Sequence, residues 1–142
     1  MIPKYKPKWF PLKELVSEAL YTQYDHDRLW NVFDWRILVM ADQIRIRYGK
    51  TVCNTWPWNG PSQYRGFRPT MCEVGSQFSQ HRFGRALDLV PIEVTTEEVR
   101  RDIAYRRSDF KYITAMELGT DWLHIDCRSH DVQTHGIFTF SP

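Results

Sequence analysis

Apolar residues recur at helical spacing early in the chain and alternate like strands later. Leu12, Leu15, Val16, Ala19 and Leu20 lie three or four apart and predict a short amphipathic helix within 12–24. Leu29, Val32, Phe33, Ile37, Met40, Ala41 and Ile44 then follow one face of a longer helix, with Asp27 as its N-cap and Gly49 as its stop. That stripe reads as core. Ahead of both, residues 1–11 carry Pro3, Pro7 and Pro11, which fix φ and remove backbone donors, so this stretch is an extended arm laid across its own domain.

Beyond Gly49 the period shortens. Residues 51–54 read as a short strand, and Trp56-Pro57-Trp58-Asn59-Gly60-Pro61 is dense in turn formers. Residues 74–85 are polar, bracketed by Gly75 and Gly84, and belong in a loop. Residues 85–90 alternate into a buried strand closed by Pro91, and Thr95-Thr96-Glu97-Glu98 offers a capping box for a helix reaching about Arg107. Three more strand candidates follow at 112–117, 122–127 and 136–140. Helices first and strands later imply one α+β domain over 1–142, with a mostly antiparallel sheet and helices on one side.

Composition narrows the class. With 42% hydrophobic residues among 142, the chain can bury one core, and a disordered chain is excluded. A formal net charge of +2 is too even to point to nucleic acid. The stretches are too short for a membrane span, and the basic, proline-broken start lacks the apolar run of a signal peptide, so the expectation is synthesis in the cytoplasm without self-encoded export. Three cysteines without C-x-x-C spacing fit reduced, buried thiols.

Chemistry concentrates in two segments. In 122–127, alternation sends Leu123, Ile125 and Cys127 to one face and Trp122, His124 and Asp126 to the other; the first face wants the core, so His124 faces a cleft. Asp88 stands inside Leu87-Asp88-Leu89-Val90, where a carboxylate is costly unless paired or metal-bound. Joined by His81, it makes a three-donor set of the kind that holds a catalytic zinc with one position open. Each residue also has an ordinary role available: Asp88 paired with Arg82 or Arg85, His124 with Asp121 or Asp126, and His81 as a loop histidine. Spacing leaves both readings open. His26, His130 and His135 read as surface residues, and Trp56 and Trp58 either line a groove or cover the core.

Ser79-x-His81-x-x-Gly84-x-Ala86-x-Asp88, followed by Trp122-x-His124-x-Asp126, resembles the signature of the D-alanyl-D-alanine carboxypeptidase branch of a zinc peptidase superfamily. That superfamily also holds lysostaphin-type enzymes, hedgehog signalling domains and many phage endolysins. Gly66-Phe67-Arg68 is similar to the Gly-Tyr-Arg that precedes the histidine motif in the family, and the segment from Trp9 to Leu15 resembles the opening of phage members. The likeness touches the chain from about residue 9 to 126.

The resemblance implies a hedgehog/D-Ala-D-Ala peptidase-like fold in which His81, Asp88 and His124 bind Zn2+. It implies a carboxylate base three residues before the last histidine, which is Asp121, with Glu117 as the alternative. It further implies that Arg68 holds a substrate carboxylate, and Ser79 and Asp126 fall in supporting places. The expected function is hydrolysis of an amide bond in the peptidoglycan stem peptide, as an endopeptidase or a D,D- or L,D-carboxypeptidase, by a phage-encoded enzyme taken as a monomer only by default, released to the wall by a holin or carried in a virion. The alternative is a virion-structural or interaction protein that keeps fold and metal without turnover.

Overall fold

The carbonyls of Leu15 and Val16 decide how the chain begins. In a computed structural model that describes residues 5–142, Leu15 C=O accepts from Phe67 N–H at 2.9 Å, and Val16 C=O accepts from Asn54 Nδ2 at 3.0 Å and the Trp56 indole at 2.8 Å. Acceptors spent on distant donors cannot serve a continuous helix. The single helix expected over 12–24 is therefore interrupted: Leu12–Glu14 makes one 3-10 turn, and α1 (Glu18–Gln23) starts afresh at Ser17, whose hydroxyl accepts from Leu20 N–H.

The longer helix divides as well. α2 (His26–Trp30) is capped by Asp25, not by Asp27, which lies inside it; α3 (Trp35–Tyr48) is capped by Asp34 and stops at Gly49, whose φ of 86° suits glycine. Between them Asp34 N–H donates to Gly84 C=O at 2.9 Å, so the turn is tied to a segment fifty residues away in sequence. An apolar stripe keeps its phase across such a break, which is why periodicity alone reads one helix.

The described part of the N-terminal arm lies on the domain. Phe10 is fully buried in the core, and the carboxylate of Asp42, itself buried within α3, accepts from Tyr5 Oη, Lys8 N–H and Trp9 N–H. Residues 1–4 of the expected arm lie outside the described residues.

Four strands are shorter than the patterns suggest, β1 (Thr51–Val52), β3 (Ala115–Glu117), β4 (Leu123–Asp126) and β5 (Phe138–Phe140), whereas β2 (Ala86–Pro91) keeps the expected six residues one position later and takes in Pro91. Among the described residues they form one sheet of order β1-β2-β4-β3-β5, antiparallel throughout except for the β3–β5 pair. The capping box is present, with Thr95 and Glu98 exchanging bonds ahead of α4 (Thr96–Tyr105). A short α5 (Val132–His135), capped by Asp131, joins β4 to β5 and has no counterpart in the sequence pattern.

The architecture is α+β. Leu87, Leu89, Met116, Leu123 and Ile125 turn one face of the sheet to a core shared with Ile37 and Ile44 of α3 and Val99 and Ile103 of α4. No helix of the described residues is long and apolar enough to cross a membrane. All three cysteines are free and buried. The opposite face of β2, β4 and β3 carries the polar chemistry.

Candidate metal centre

His81 is delivered by a tight turn. Ser79 Oγ accepts His81 N–H at 3.3 Å to open the 3-10 turn Gln80–Phe83, and Gly84 closes it at φ 67°. A Cβ at Gly84 would stand 1.7 Å from Val32 C=O, so both backbone conformation and space demand glycine. The His81 ring, buried at 2% exposure, reaches Gly66 C=O through Nδ1 at 2.8 Å and Asp88 Oδ1 through Nε2 at 3.2 Å.

Antiparallel pairing supplies the other two. Asp88 of β2 lies directly across from His124 of β4, so their side chains share a face, and His124 Nδ1 meets Asp88 Oδ1 at 2.9 Å. His124 Nε2 bonds Asp126 Oδ2 at 2.7 Å, and Asp126 is fully buried. One ligand atom from each of His81, Asp88 and His124 falls within 4.8 Å of the others.

The donors fit a cation. A backbone carbonyl only accepts, so His81 Nδ1 carries the proton bonded to Gly66, and Nε2 presents its lone pair to Asp88. Asp126 likewise accepts the hydrogen bond from His124 Nε2–H, leaving Nδ1 for the centre. Two lone pairs and a carboxylate oxygen then converge, a set that repels itself unless each ring takes a second proton or a cation lies between them. The buried His81, Asp88 and His124 group can hold a metal ion.

The titration of the metal-free group follows from the same contacts. Burial raises the Asp88 carboxyl, but His81 and His124 outweigh it and hold the group well below the usual carboxylate range. Burial pulls His124 down, yet bonds to Asp126 and Asp88 carry it up to about 9. Asp126, raised by burial, is brought down to about 2 by Arg128 and His124.

Asp88 is paired with an arginine, though neither Arg82 nor Arg85 is the one. Arg68 donates from Nη2 to Asp88 Oδ2 at 3.3 Å and from Nε to Tyr64 C=O at 2.8 Å; burial holds its pKa below the ordinary value against the pull of Asp88. Arg82 instead points into the loop after Arg68, where its guanidinium binds the carbonyls of Pro69, Cys72 and Ser76, and Arg85 lies over the Phe83 ring.

A pocket of about 590 Å³ opens over the three donors. Arg68, Glu117, Trp122, Arg128 and Phe140 line it. Glu117 is placed there by register: Ala115 pairs with Asp126 and Met116 with Ile125, so the next step sets Glu117 beside His124 on the same face. Asp121 is exposed and not among the lining residues; its carbonyl accepts Thr96 Oγ1 at 2.8 Å, at the start of α4. Asp121 lies in the bend that precedes β4, outside the strand that aims His124.

No protein-family model, curated protein or solved structure matches the chain.

The remaining histidines stay apart from the group. His26 bonds Tyr21 C=O, and the half-buried His130 bonds Gly136 C=O, each at 3.0 Å. Trp56, half-buried, spends its indole N–H on Val16 and packs near Tyr21, whereas Trp58 is exposed; neither lines the pocket. Arg128 is the residue that sequence reasoning missed. It grips Asp126 with Nε at 2.8 Å and Nη2 at 2.6 Å from two positions beyond the strand. Its only sequence signal is that i, i+2 spacing, which is too common to single it out.

Proposed function

We propose that this chain is a zinc-dependent peptidase of the peptidoglycan stem peptide, with the D-alanyl-D-alanine carboxypeptidase-like fold that its motifs resemble. The observation that carries the reading is the convergence of His81 Nε2, Asp88 Oδ1 and His124 Nδ1 beneath an open pocket that also holds a carboxylate. Two imidazoles and one carboxylate are a donor set suited to zinc, and three protein ligands leave a position for water or substrate.

Zinc in this site would polarise a scissile carbonyl and acidify a water molecule. Glu117, on the pocket face beside His124, is the base that takes the water's proton and returns it to the leaving amine. Asp121, exposed and not among the residues lining the pocket, is left out of that transfer. Arg68 spends Nε and Nη2 on Tyr64 and Asp88, leaving Nη1 for a substrate carboxylate. The order of the Ser-His-Gly-Ala-Asp and Trp-His-Asp motifs supports the stem peptide as substrate and a phage lytic enzyme as the context.

The test is metal content with digestion of purified peptidoglycan, comparing wild type, His81→Ala and Glu117→Gln. One zinc per chain, with amide cleavage lost in both variants and metal lost only in His81→Ala, is the expected result. Zinc without cleavage in the wild type would assign the chain to a structural or interaction role, and absence of zinc would overturn the centre.

A further inference from the structure

The proton on His124 Nε2 is held by Asp126, and Asp126 is in turn held on both oxygens by a residue outside the motif. Arg128 donates Nε to Oδ1 and Nη2 to Oδ2, and its own N–H adds a third bond to Oδ1 at 3.2 Å. Its guanidinium lies over Phe138 and Phe140 of β5, 5.2 and 4.8 Å from the ring centroids, and Phe140 meets the His124 ring edge-on at 5.4 Å. From Arg128 through Asp126 to His124 there is thus an unbroken line of charge-assisted bonds, packed on one side by β5.

We propose that Arg128 is a positioning residue of the metal centre: it fixes the plane of the Asp126 carboxylate, and through it the tautomer and aim of His124. The inference rests on the metal-site reading. A carboxylate held on one side only can rotate, and rotation would release the Nε2–H bond and turn Nδ1 from the centre. A bidentate fork prevents this, because a planar guanidinium locks both oxygens at once; a lysine ammonium supplies the charge without the geometry. Edge strand β5 thereby becomes part of the site, although it contributes none of the three ligands.

The experiment is competitive titration of zinc against a chromophoric chelator for wild type, Arg128→Met and Arg128→Lys, with the visible spectrum of the cobalt-substituted proteins as a report on ligand geometry. Loss of a supporting partner of this kind weakens metal binding about 10- to 100-fold, and that drop is expected for Arg128→Met, with an altered cobalt spectrum. Arg128→Lys is expected to recover only part of it. Near-UV circular dichroism of the metal-free proteins checks folding, and Arg128→Lys carries the test if Arg128→Met does not fold. Wild-type affinity and an unchanged cobalt spectrum in the folded variants would overturn the positioning role, even if substrate KM rises. Failure of the wild type itself to bind zinc would instead overturn the metal reading beneath it.

Discussion

Asp88 and His124 stand directly opposite one another in the β2–β4 ladder, and their side chains meet at 2.9 Å although 36 positions separate them in sequence. Strand pairing therefore builds two-thirds of the donor set, and the 3-10 turn held between Ser79 and Gly84 adds the rest. A rigid sheet holds such a constellation more closely than loops would.

A centre assembled from elements this far apart links metal binding to global stability. With free zinc at roughly a thousand times its dissociation constant, the folded state gains about 4 kcal/mol, or about 10 °C in Tm for a domain of this size. Differential scanning calorimetry with and without chelator is expected to show that difference in the wild type and its near absence in Asp88→Asn. An equal chelator response in the two proteins would contradict this ligand assignment.

Glu117 and Asp121 make opposite predictions. Glu117→Gln is expected to lower kcat for muropeptide cleavage by about 10²–10⁴ while one zinc stays bound, the range typical of a lost general base. Asp121→Ala, removing an exposed side chain outside the pocket, is expected to change kcat by less than about threefold. Stopped assays analysed by chromatography and mass spectrometry decide the matter, and a severe Asp121 defect beside an active Glu117 variant would reverse the assignment.

The metal-free protein should lose stability as pH rises. His124 titrates at about 9 in the folded state against an ordinary 6.5, so its contribution is complete below 6.5 and disappears as pH climbs through 9. Asp126, lowered to about 2 from 3.8, contributes above 3.8 and fails only as pH falls through 2. Zinc competes for the same His124 lone pair, so the gap in Tm between zinc-loaded and metal-free protein is expected to widen from pH 6.5 to 9. A pH-independent gap would disprove this linkage.

Asp42 anchors the N-terminal arm with a single buried carboxylate that accepts from Tyr5, Lys8 and Trp9. Asp42→Ala leaves those donors without their acceptor and is expected to cost about 2–4 kcal/mol in denaturant unfolding, with Asp42→Asn intermediate. Faster proteolysis near Lys6 and Lys8 should accompany it. A loss below about 0.5 kcal/mol would show that Phe10 alone secures the arm.

What could be read from the sequence was whatever neighbouring residues settle among themselves. The Thr95–Glu98 capping box, the Gly49 stop, and the alternation that puts His124 and Asp126 on the face opposite Leu123 and Ile125 all depend on local backbone geometry and side-chain direction. The acid inside Leu87-Asp88-Leu89 called for a partner, but spacing left metal and ordinary pairing both open, and only the motif resemblance joined His81, Asp88 and His124 into one set.

Tertiary structure decided the remainder. Both expected helices were cut where distant partners, Phe67, Asn54, Trp56 and Gly84, bond the backbone, and an apolar stripe carries no trace of them. The pairing of β3 with β4 brought Glu117 beside His124 and left Asp121 outside the pocket; Arg68 reached Asp88 from a loop, and Arg128 reached Asp126 under cover of β5. Periodicity tells a residue which face it occupies. Which strand lies alongside, and hence which charges meet, is set only when the whole sheet closes over one core.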